Sequence, residues 1–389
     1  MLFRSYEKRL KGDSGAIIYI SRQKDGKEIK QDTVLKKATK AGENITLSVD
    51  KDLQTNIYKG MKKEPGASAA INPKTGEVLA LVSSPSYDSN AYTTYKSNTQ
   101  ITAWKAEKDP FKNRFKVVYS PGSTFKLITA AVGLDNAKIK PEELINIPSK
   151  KWQPDKSWGS NVVTRVSDTI KSVNLKDAFV YSDNIYFAQA ALKIGKENFI
   201  KGASKFGIGE KLPIDYPIAT SQVANNNVIK NDIALADTGY GQGEVLMSPL
   251  QVALSYSAVV NEGNIMSPTL ENFNKKIISK VWKSNVISQN SIKTLKDDLT
   301  QVIEDTNGTG HGAKISGVNL AGKTGTAELK KDAKDVTAEE NGWFTCMNTD
   351  NPKIVISMIM ENVKNTGESH HVVPIVKGIM ESYLKVASK

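Results

Sequence analysis

Tyr119-Ser120-Pro121-Gly122-Ser123-Thr124-Phe125-Lys126, continuing into Leu127-Ile128-Thr129-Ala130-Ala131-Val132-Gly133-Leu134, is the stretch on which the fold turns. Ser120 is a good N-cap and Pro121 a good first helical residue. The run beyond is apolar nearly all round, so the pattern predicts a buried central helix rather than a surface one. A serine in the first turn with a lysine three residues on shares one face with it. Serine is a poor nucleophile until an adjacent base takes its proton, and a lysine desolvated by apolar neighbours can be that base. The helix N-terminus adds free N–H groups where an oxyanion would form.

Ser-x-x-Lys alone is weak in so lysine-rich a chain, recurring at Ser5 with Lys8, Ser21 with Lys24, Ser48 with Lys51 and Ser382 with Lys385. Context separates them. Ser5 and Ser21 lie in hydrophilic surroundings, Ser48 follows a strand-like alternation, and Ser382 falls near the C-terminal end of its helix, where the dipole opposes an anion. Only Ser123 opens a buried helix.

Upstream, Ile45, Leu47 and Val49 alternate as a strand would, and Asp50 can cap a helix carrying Leu53, Ile57 and Met61. A hairpin is predicted from Ala67–Ile71 and Val78–Val82 through Asn72-Pro73-Lys74-Thr75-Gly76. Downstream, 136–209 reads mostly helical. Val318–Leu329, Trp343–Asn348 and Lys353–Glu361 then read as strands, and Pro374 as the opening of a last helix. An early hairpin, inserted helices and late antiparallel strands together imply an α/β sheet with a helical subdomain.

Two further motifs carry chemistry. Tyr181-Ser182-Asp183-Asn184 interrupts a helical pattern and predicts a tight loop aiming a hydroxyl and an amide into a cleft; a plain N-cap is the simpler alternative. Lys323-Thr324-Gly325-Thr326 lies within a strand pattern. Glycine weakens a strand unless another backbone must come close, and a substrate lying alongside as an added strand would demand that. Strict alternation puts Lys323 and Thr324 on opposite faces, so both reach one cleft only on an edge or strongly twisted strand. Gly317, Gly322, Lys323 and Thr324 also match the spacing of a phosphate-binding loop, but the required strand before and helix after are not predicted.

The three motifs in this order are those of penicillin-binding proteins and class A β-lactamases. The chain resembles a class B penicillin-binding protein, a D-Ala-D-Ala transpeptidase, most closely the low-affinity type to which the methicillin-resistance transpeptidase belongs. The resemblance runs from about Asn44 almost to the end. It includes Asn113-Arg114-Phe115, Lys156-Ser157-Trp158-Gly159-Ser160, Val163-Thr164-Arg165-Val166 and Ala236-Asp237-Thr238-Gly239-Tyr240-Gly241-Gln242-Gly243-Glu244. It implies a remnant of a non-catalytic pedestal over residues 1–43, preceded in family members by a further domain and a membrane anchor, and a transpeptidase domain over 44–389. By the same resemblance Ser123 is the nucleophile, Lys126 its base, Ser182 the proton relay, Lys323 the electrostatic support of that relay, and Asn184 the residue orienting Lys126 and the substrate amide. The N–H groups of Ser123 and Thr326 would form the oxyanion hole, and Thr324 and Thr326, beside Gly325, would receive the donor's carboxylate. Tyr240 and Gln242 would line the cleft.

The implied partners are peptidoglycan stem peptides, β-lactams bound covalently, a glycosyltransferase, and division or elongation proteins, at the extracytoplasmic face of a bacterial membrane. A β-lactam sensor of the same fold is the alternative, and its disfavouring feature is the pedestal-like opening Tyr6-Glu7-Lys8-Arg9-Leu10-Lys11-Gly12. A β-lactamase would need a further group to activate water, and none is seen.

Composition sets the outer bounds. With 389 residues, 39% hydrophobic and 24% charged, the chain has an ordinary globular balance, which excludes collagen-like and wholly disordered classes. No apolar run approaches the roughly 18 residues that cross a bilayer. The net charge of +12 suits anionic surroundings, but the lysines are scattered rather than gathered with aromatics, so nucleic acid is not expected. Cys346, the only cysteine, reads as a buried core residue. Three histidines, His311, His370 and His371, give little support to a zinc site or a Ser-His-Asp triad, and neither metal nor cofactor is expected.

Overall fold

The computed structural model describes residues 2–94, 97–106, 108–272, 279–329 and 338–386. They form two compact units, one of 1–47 with 271–277 and one of 48–270 with 278–389. In the first, helix α1 (Leu2–Leu10) precedes a hairpin of β1 (Ala16–Lys24) and β2 (Lys27–Lys37). The hairpin turns through Asp25 and Gly26, both at positive φ, as a two-residue turn between twisted strands requires. Arg9 ties α1 to Glu43 at 2.7 Å and to both Glu271 carboxylate oxygens at 2.7 and 2.8 Å. The alternation at Ile45, Leu47 and Val49 yields no strand. Leu47 makes a single bridge to Glu271.

The second unit is built on a five-stranded antiparallel sheet. Asp50 caps α2 (Lys51–Gly60) by accepting from Asp52 and Leu53 N–H, and Leu53, Ile57 and Met61 are buried, as the spacing predicts. Then come the hairpin β3 (Gly66–Ile71) and β4 (Val78–Ser84), and helices α3 (Lys126–Asp135), α4 (Leu175–Val180), α5 (Asn184–Ile194), α6 (Lys196–Lys205), α7 (Asp232–Gly239), α8 (Pro249–Val260) and α9 (Gln289–Glu304). Strands β5 (Leu320–Glu328), β6 (Glu340–Asn348) and β7 (Val355–Met360) and helix α10 (Ser369–Val386) complete it.

The strand order is β5-β6-β7-β3-β4, so the late strands join the early hairpin and β5 forms an edge. Helices α2 and α10 pack together and against the sheet, enclosing a core of Leu53, Ile57, Leu320, Phe344, Ile356 and Met380 among others. Helix α8, buried along its whole length, packs against β3, β6 and β7. The helical part, with α3 between α5 and α6, completes the α/β arrangement expected from the element order.

Two helix starts differ from expectation. Pro374 lies inside α10 and does not open it, because Ser369–Val373 are already helical; the missing proline N–H removes one ladder bond there. Ser120 is not a cap: its hydroxyl donates 2.8 Å to Gly241 O, and a 3-10 turn over Gly122–Phe125 precedes α3. The stretch 317–324 is a turn running into β5 with no helix after it, which excludes the phosphate-loop geometry.

Candidate active site

Ser123 sits in the 3-10 turn at the head of α3, 9% exposed, with Lys126 and the next seven residues buried behind it. The turn is fastened on every side. Trp343 Nε1 donates to Ser120 O at 2.9 Å, Gly122 N to Gly241 O at 3.0 Å, Tyr256 hydroxyl to Thr124 O at 2.8 Å and Thr124 Oγ1 to Pro121 O at 2.8 Å. Ser123 Oγ itself has no hydrogen bond among the described residues. The backbone that carries the serine is therefore held in place by the surrounding elements.

Glycines allow the close crossings this needs. Gly122 (φ +51) passes so near β5 that a Cβ would stand 2.4 Å from Thr326 O, and a Cβ on Gly241 (φ +80) would stand 2.0 Å from Gly122 O. At Gly325 the backbone that approaches the strand is not the expected substrate. A Cβ there would meet Pro121 O at 2.9 Å and Thr124 Cγ2 at 3.0 Å, so the neighbour in contact is the protein's own serine turn.

Lys126 Nζ donates to Ser182 O at 2.8 Å, Ser182 Oγ at 3.1 Å and Asn184 Oδ1 at 2.7 Å. Lys323 Nζ donates to the same Ser182 Oγ at 2.9 Å and to Thr324 O at 3.1 Å. One hydroxyl thus bridges two fully buried lysines. Burial drives Lys126 well below its ordinary value, and the neighbouring Lys323 pushes the same way while Asp183 opposes. Burial lowers Lys323 to about 7. Two ammonium groups on one hydroxyl in a dry site repel, so the stable arrangement has one of them neutral.

The loop holding Ser182 is the tight link between α4 and α5 that the helix interruption predicts. Both readings of it hold at different residues. Asp183 caps α5 by accepting from Ile185 and Tyr186 N–H, which frees Ser182 and Asn184 for the lysine. Ser182 takes φ +53, a left-handed conformation that costs a non-glycine residue about 1–2 kcal/mol and here aims its hydroxyl between the lysines. Asn184 Nδ2 donates to Thr164 O at 2.9 Å, fixing its oxygen toward Lys126.

Lys323 and Thr324 both reach this region because β5 is the sheet edge, meeting the condition that alternation imposed. Thr324 Oγ1 donates 2.7 Å to Thr309 Oγ1 in the loop after α9, a residue the motifs did not single out. Thr326 is partly exposed beside Gly122. Tyr240 and Gln242 are partly buried on the loop whose Gly241 O receives Ser120 and Gly122. Tyr240 donates to Asp237 Oδ1, and burial and that carboxylate hold its phenol above the usual range. Trp343 and Tyr256 also escape the motifs, since they act through single long-range hydrogen bonds with no local spacing. Cys346 is buried in β6, its thiol pushed up to about 12.

Among the described residues no group of three or more His, Cys, Asp or Glu gathers as a metal site, and no helix is long and apolar enough to cross a membrane. A buried serine three residues before a buried lysine, with a second buried lysine on the same hydroxyl network, is a set of groups that can carry out acyl transfer. Residues 66–381 match the penicillin binding protein transpeptidase domain family, and the chain belongs to it. It is 39% identical to penicillin-binding protein 3 of Bacillus subtilis over 97% of this chain and 55% of that protein. It is 27% identical to stage V sporulation protein D of the same organism, over 97% of this chain and 59% of that protein. The chain thus spans little more than half the length of these relatives. The fold aligns with penicillin-binding protein A from M. tuberculosis, solved as a ceftriaxone acyl-enzyme complex, with TM-score 0.77 and 26% identity over 88% of this chain and 80% of that one. The D,D-transpeptidase domain of a peptidoglycan glycosyltransferase from Eggerthella lenta has the same fold, with TM-score 0.74 and 23% identity over 88% of this chain and 84% of that one.

Proposed function

We propose that this chain is a peptidoglycan D,D-transpeptidase working through an acyl-enzyme on Ser123, and that β-lactams acylate the same serine. The observation that carries the reading is Ser182 Oγ held at 3.1 Å by Lys126, three residues after Ser123, and at 2.9 Å by Lys323. Neutral Lys126 takes the Ser123 proton as Oγ attacks the penultimate D-Ala carbonyl. The C–N bond to the terminal D-Ala then breaks, and its nitrogen takes a proton from Ser182, which is refilled from Lys126 with Lys323 steadying the charge. Asn184 orients Lys126. The N–H groups of Ser123 and Thr326 receive the oxyanion, and Thr324 and Thr326 the terminal carboxylate, with Tyr240 and Gln242 lining the cleft. An amine of a second stem peptide releases the acyl group as a cross-link.

Action at the extracytoplasmic face of a bacterial membrane is part of the proposal, and the relatives' names support a peptidoglycan substrate. They include peptidoglycan D,D-transpeptidases, 28% identical in the MrdA protein of Haemophilus influenzae. Within this reading residues 1–43 belong to a non-catalytic pedestal and 44–389 to the catalytic domain, and a glycosyltransferase and division or elongation proteins are its partners. The low-affinity assignment is part of the proposal. What supports it is a Lys126 amine engaged by three acceptors and a Ser123 hydroxyl engaged by none, so acylation must first rearrange the cluster.

Intact mass after incubation with benzylpenicillin, for this chain and Ser123→Ala, tests the reading. A drug-sized increment lost in the variant supports it, and a D-Ala-D-Ala thioester turned over with an amine acceptor separates a transpeptidase from a sensor. Drug consumed without an increment would mean a β-lactamase, and drug untouched by the unaltered chain would overturn the assignment of Ser123.

A further inference from the structure

Two charges beside the cluster have no part in the reaction described above. Arg165 and Asp183 are both fully buried, with Arg165 Nη2 2.5 Å from Asp183 Oδ2. Arg165 Nη1 donates to Ile147 O at 3.0 Å, and its backbone N–H donates to Lys150 O at 3.0 Å, so both the guanidinium and the backbone that carries it are held by the 147–150 segment. The residue before it, Thr164, supplies the carbonyl that orients Asn184. Capping α5 does not require this pair, since a neutral serine or asparagine would accept the same two N–H bonds. Nor is stability a sufficient account, because buried ion pairs gain little over apolar residues of the same shape.

Position gives the pair a different meaning. Asp183 lies between Ser182 and Asn184, the two residues that hold Lys126 Nζ, and a bare carboxylate there would keep Lys126 protonated. A guanidinium paired with that carboxylate offsets part of its charge. We propose that Arg165 and Asp183 are positioning residues for acyl transfer: the pair clamps the Ser182–Asn184 loop onto the Thr164 segment, and Arg165 offsets the Asp183 charge so that Lys126 can yield its proton. The inference rests on reading Ser123 and Lys126 as nucleophile and base.

Around Lys126, β5 contributes Lys323, the loop contributes Asp183, and α5 contributes the Phe187 ring, 5.5 Å from Nζ. Helix α9 carries Asp298, and its N-terminal Ser288 and Ser291 bind Asp135 at the far end of α3. Apart from Asp183 itself these groups stay the same in the variants below, so a change in the proton balance of Lys126 traces to the pair.

The experiment is the rate of benzylpenicillin acylation against pH, from about pH 6 to about pH 9, read as the position of the acid limb and not as its height. Asp183→Asn leaves the Arg165 charge unopposed and is expected to move the limb down by about one pH unit. Adding Arg165→Met to it removes both charges and is expected to bring the limb back. Arg165→Gln moves it the other way, because it takes away the cation that faces Asp183 and leaves the carboxylate charge unopposed beside Lys126; this variant carries the test should Asp183→Asn not fold. A limb that stays put in every folded variant while the rate falls would reduce the pair to scaffolding and overturn the inference. If the unaltered chain forms no adduct, the underlying assignment of Ser123 fails instead.

Discussion

Replacing Lys323 with methionine separates what this site costs in stability from what it does. Lys323 is fully buried, and burial lowers its ammonium from the ordinary 10.5 to about 7. The unfolded chain keeps the ordinary value, so between pH 7 and 10.5 it binds a proton that the folded chain does not. Stability therefore rises with pH across that window, and the deficit is largest below pH 7. At about 1.4 kcal/mol per pH unit, the drop from 10.5 to about 7 caps the deficit at about 5 kcal/mol. Methionine replaces the unbranched stem but is one heavy atom shorter and uncharged, and it forfeits the bonds to Ser182 Oγ and Thr324 O, roughly 1–2 kcal/mol net. Lys126 adds to the effect in the same direction, because losing the Lys323 charge lets it keep its proton more easily.

The expected result is a variant about 2–3 kcal/mol more stable at pH 7 whose advantage vanishes toward pH 10, with benzylpenicillin acylation slowed about 100-fold or more. Urea unfolding of both proteins at several pH values between these limits measures it. Taking the difference between the two cancels every titration they share, including Cys346 and the buried tyrosines. A difference that is flat with pH would refute the reasoning, since no proton would then be linked to burial of this lysine.

Gly325→Ala places a methyl 2.9 Å from Pro121 O, so the serine turn is forced off β5; acylation is expected to fall at least about 10-fold with a lower melting temperature, and an unchanged rate would show that the crossing is not needed. Asp298 is buried in α9, Oδ2 has no hydrogen bond among the described residues, and burial raises its carboxyl to about 7. The folded chain therefore binds the extra proton between the ordinary 3.8 and 7, and stability is lost as pH rises through that window. Asp298→Asn is expected to be about 2–4 kcal/mol more stable at pH 8 and to differ little at pH 4, by thermal unfolding at each pH. Trp343→Phe removes the donor to the part-buried Ser120 O, a loss of about 1 kcal/mol seen in urea unfolding together with slower acylation.

What the sequence discloses is what local period and chain direction determine. Ser123 and Lys126 share a face because they are three residues apart near the head of an apolar helix, and the Ser182 loop shows itself by breaking a helical pattern. Lys323 and Thr324 stand differently. Whether two consecutive strand residues reach one cleft depends on where the strand lies in the sheet, and only the pairing of β6 with β5 and β7 settles that β5 is the edge. The role of Gly325 is hidden for a related reason: a missing Cβ says that something comes close, without saying what. Ser120 and Pro374 fit capping rules locally but lose to tertiary contacts, with Gly241 O claiming the serine hydroxyl and the residues before Pro374 continuing the helix. The Arg165–Asp183 pair and the Thr309–Thr324 contact join segments with no periodic relation, so nothing short of the fold brings them together.

The hydrogen bonds of the resting site also indicate which proton path is open. An ammonium has three protons, and in Lys126 they go to Ser182 O, Ser182 Oγ and Asn184 Oδ1. On becoming neutral it must release one acceptor. Releasing Ser182 O or Asn184 Oδ1 would leave a polar oxygen short of a donor in a dry site, a loss of about 1–3 kcal/mol. Releasing Ser182 Oγ leaves nothing unpaired, because Lys323 still donates to it at 2.9 Å. The Ser182 O–H is then free to turn toward the new lone pair on Lys126, giving a directed chain from Lys323 through Ser182 to Lys126. A proton collected from Ser123 can return along the Lys126–Ser182 link to a leaving nitrogen while the backbone of the serine turn stays where Trp343, Tyr256 and Gly241 hold it. The second lysine thus keeps the shared hydroxyl satisfied at the moment the first one lets go.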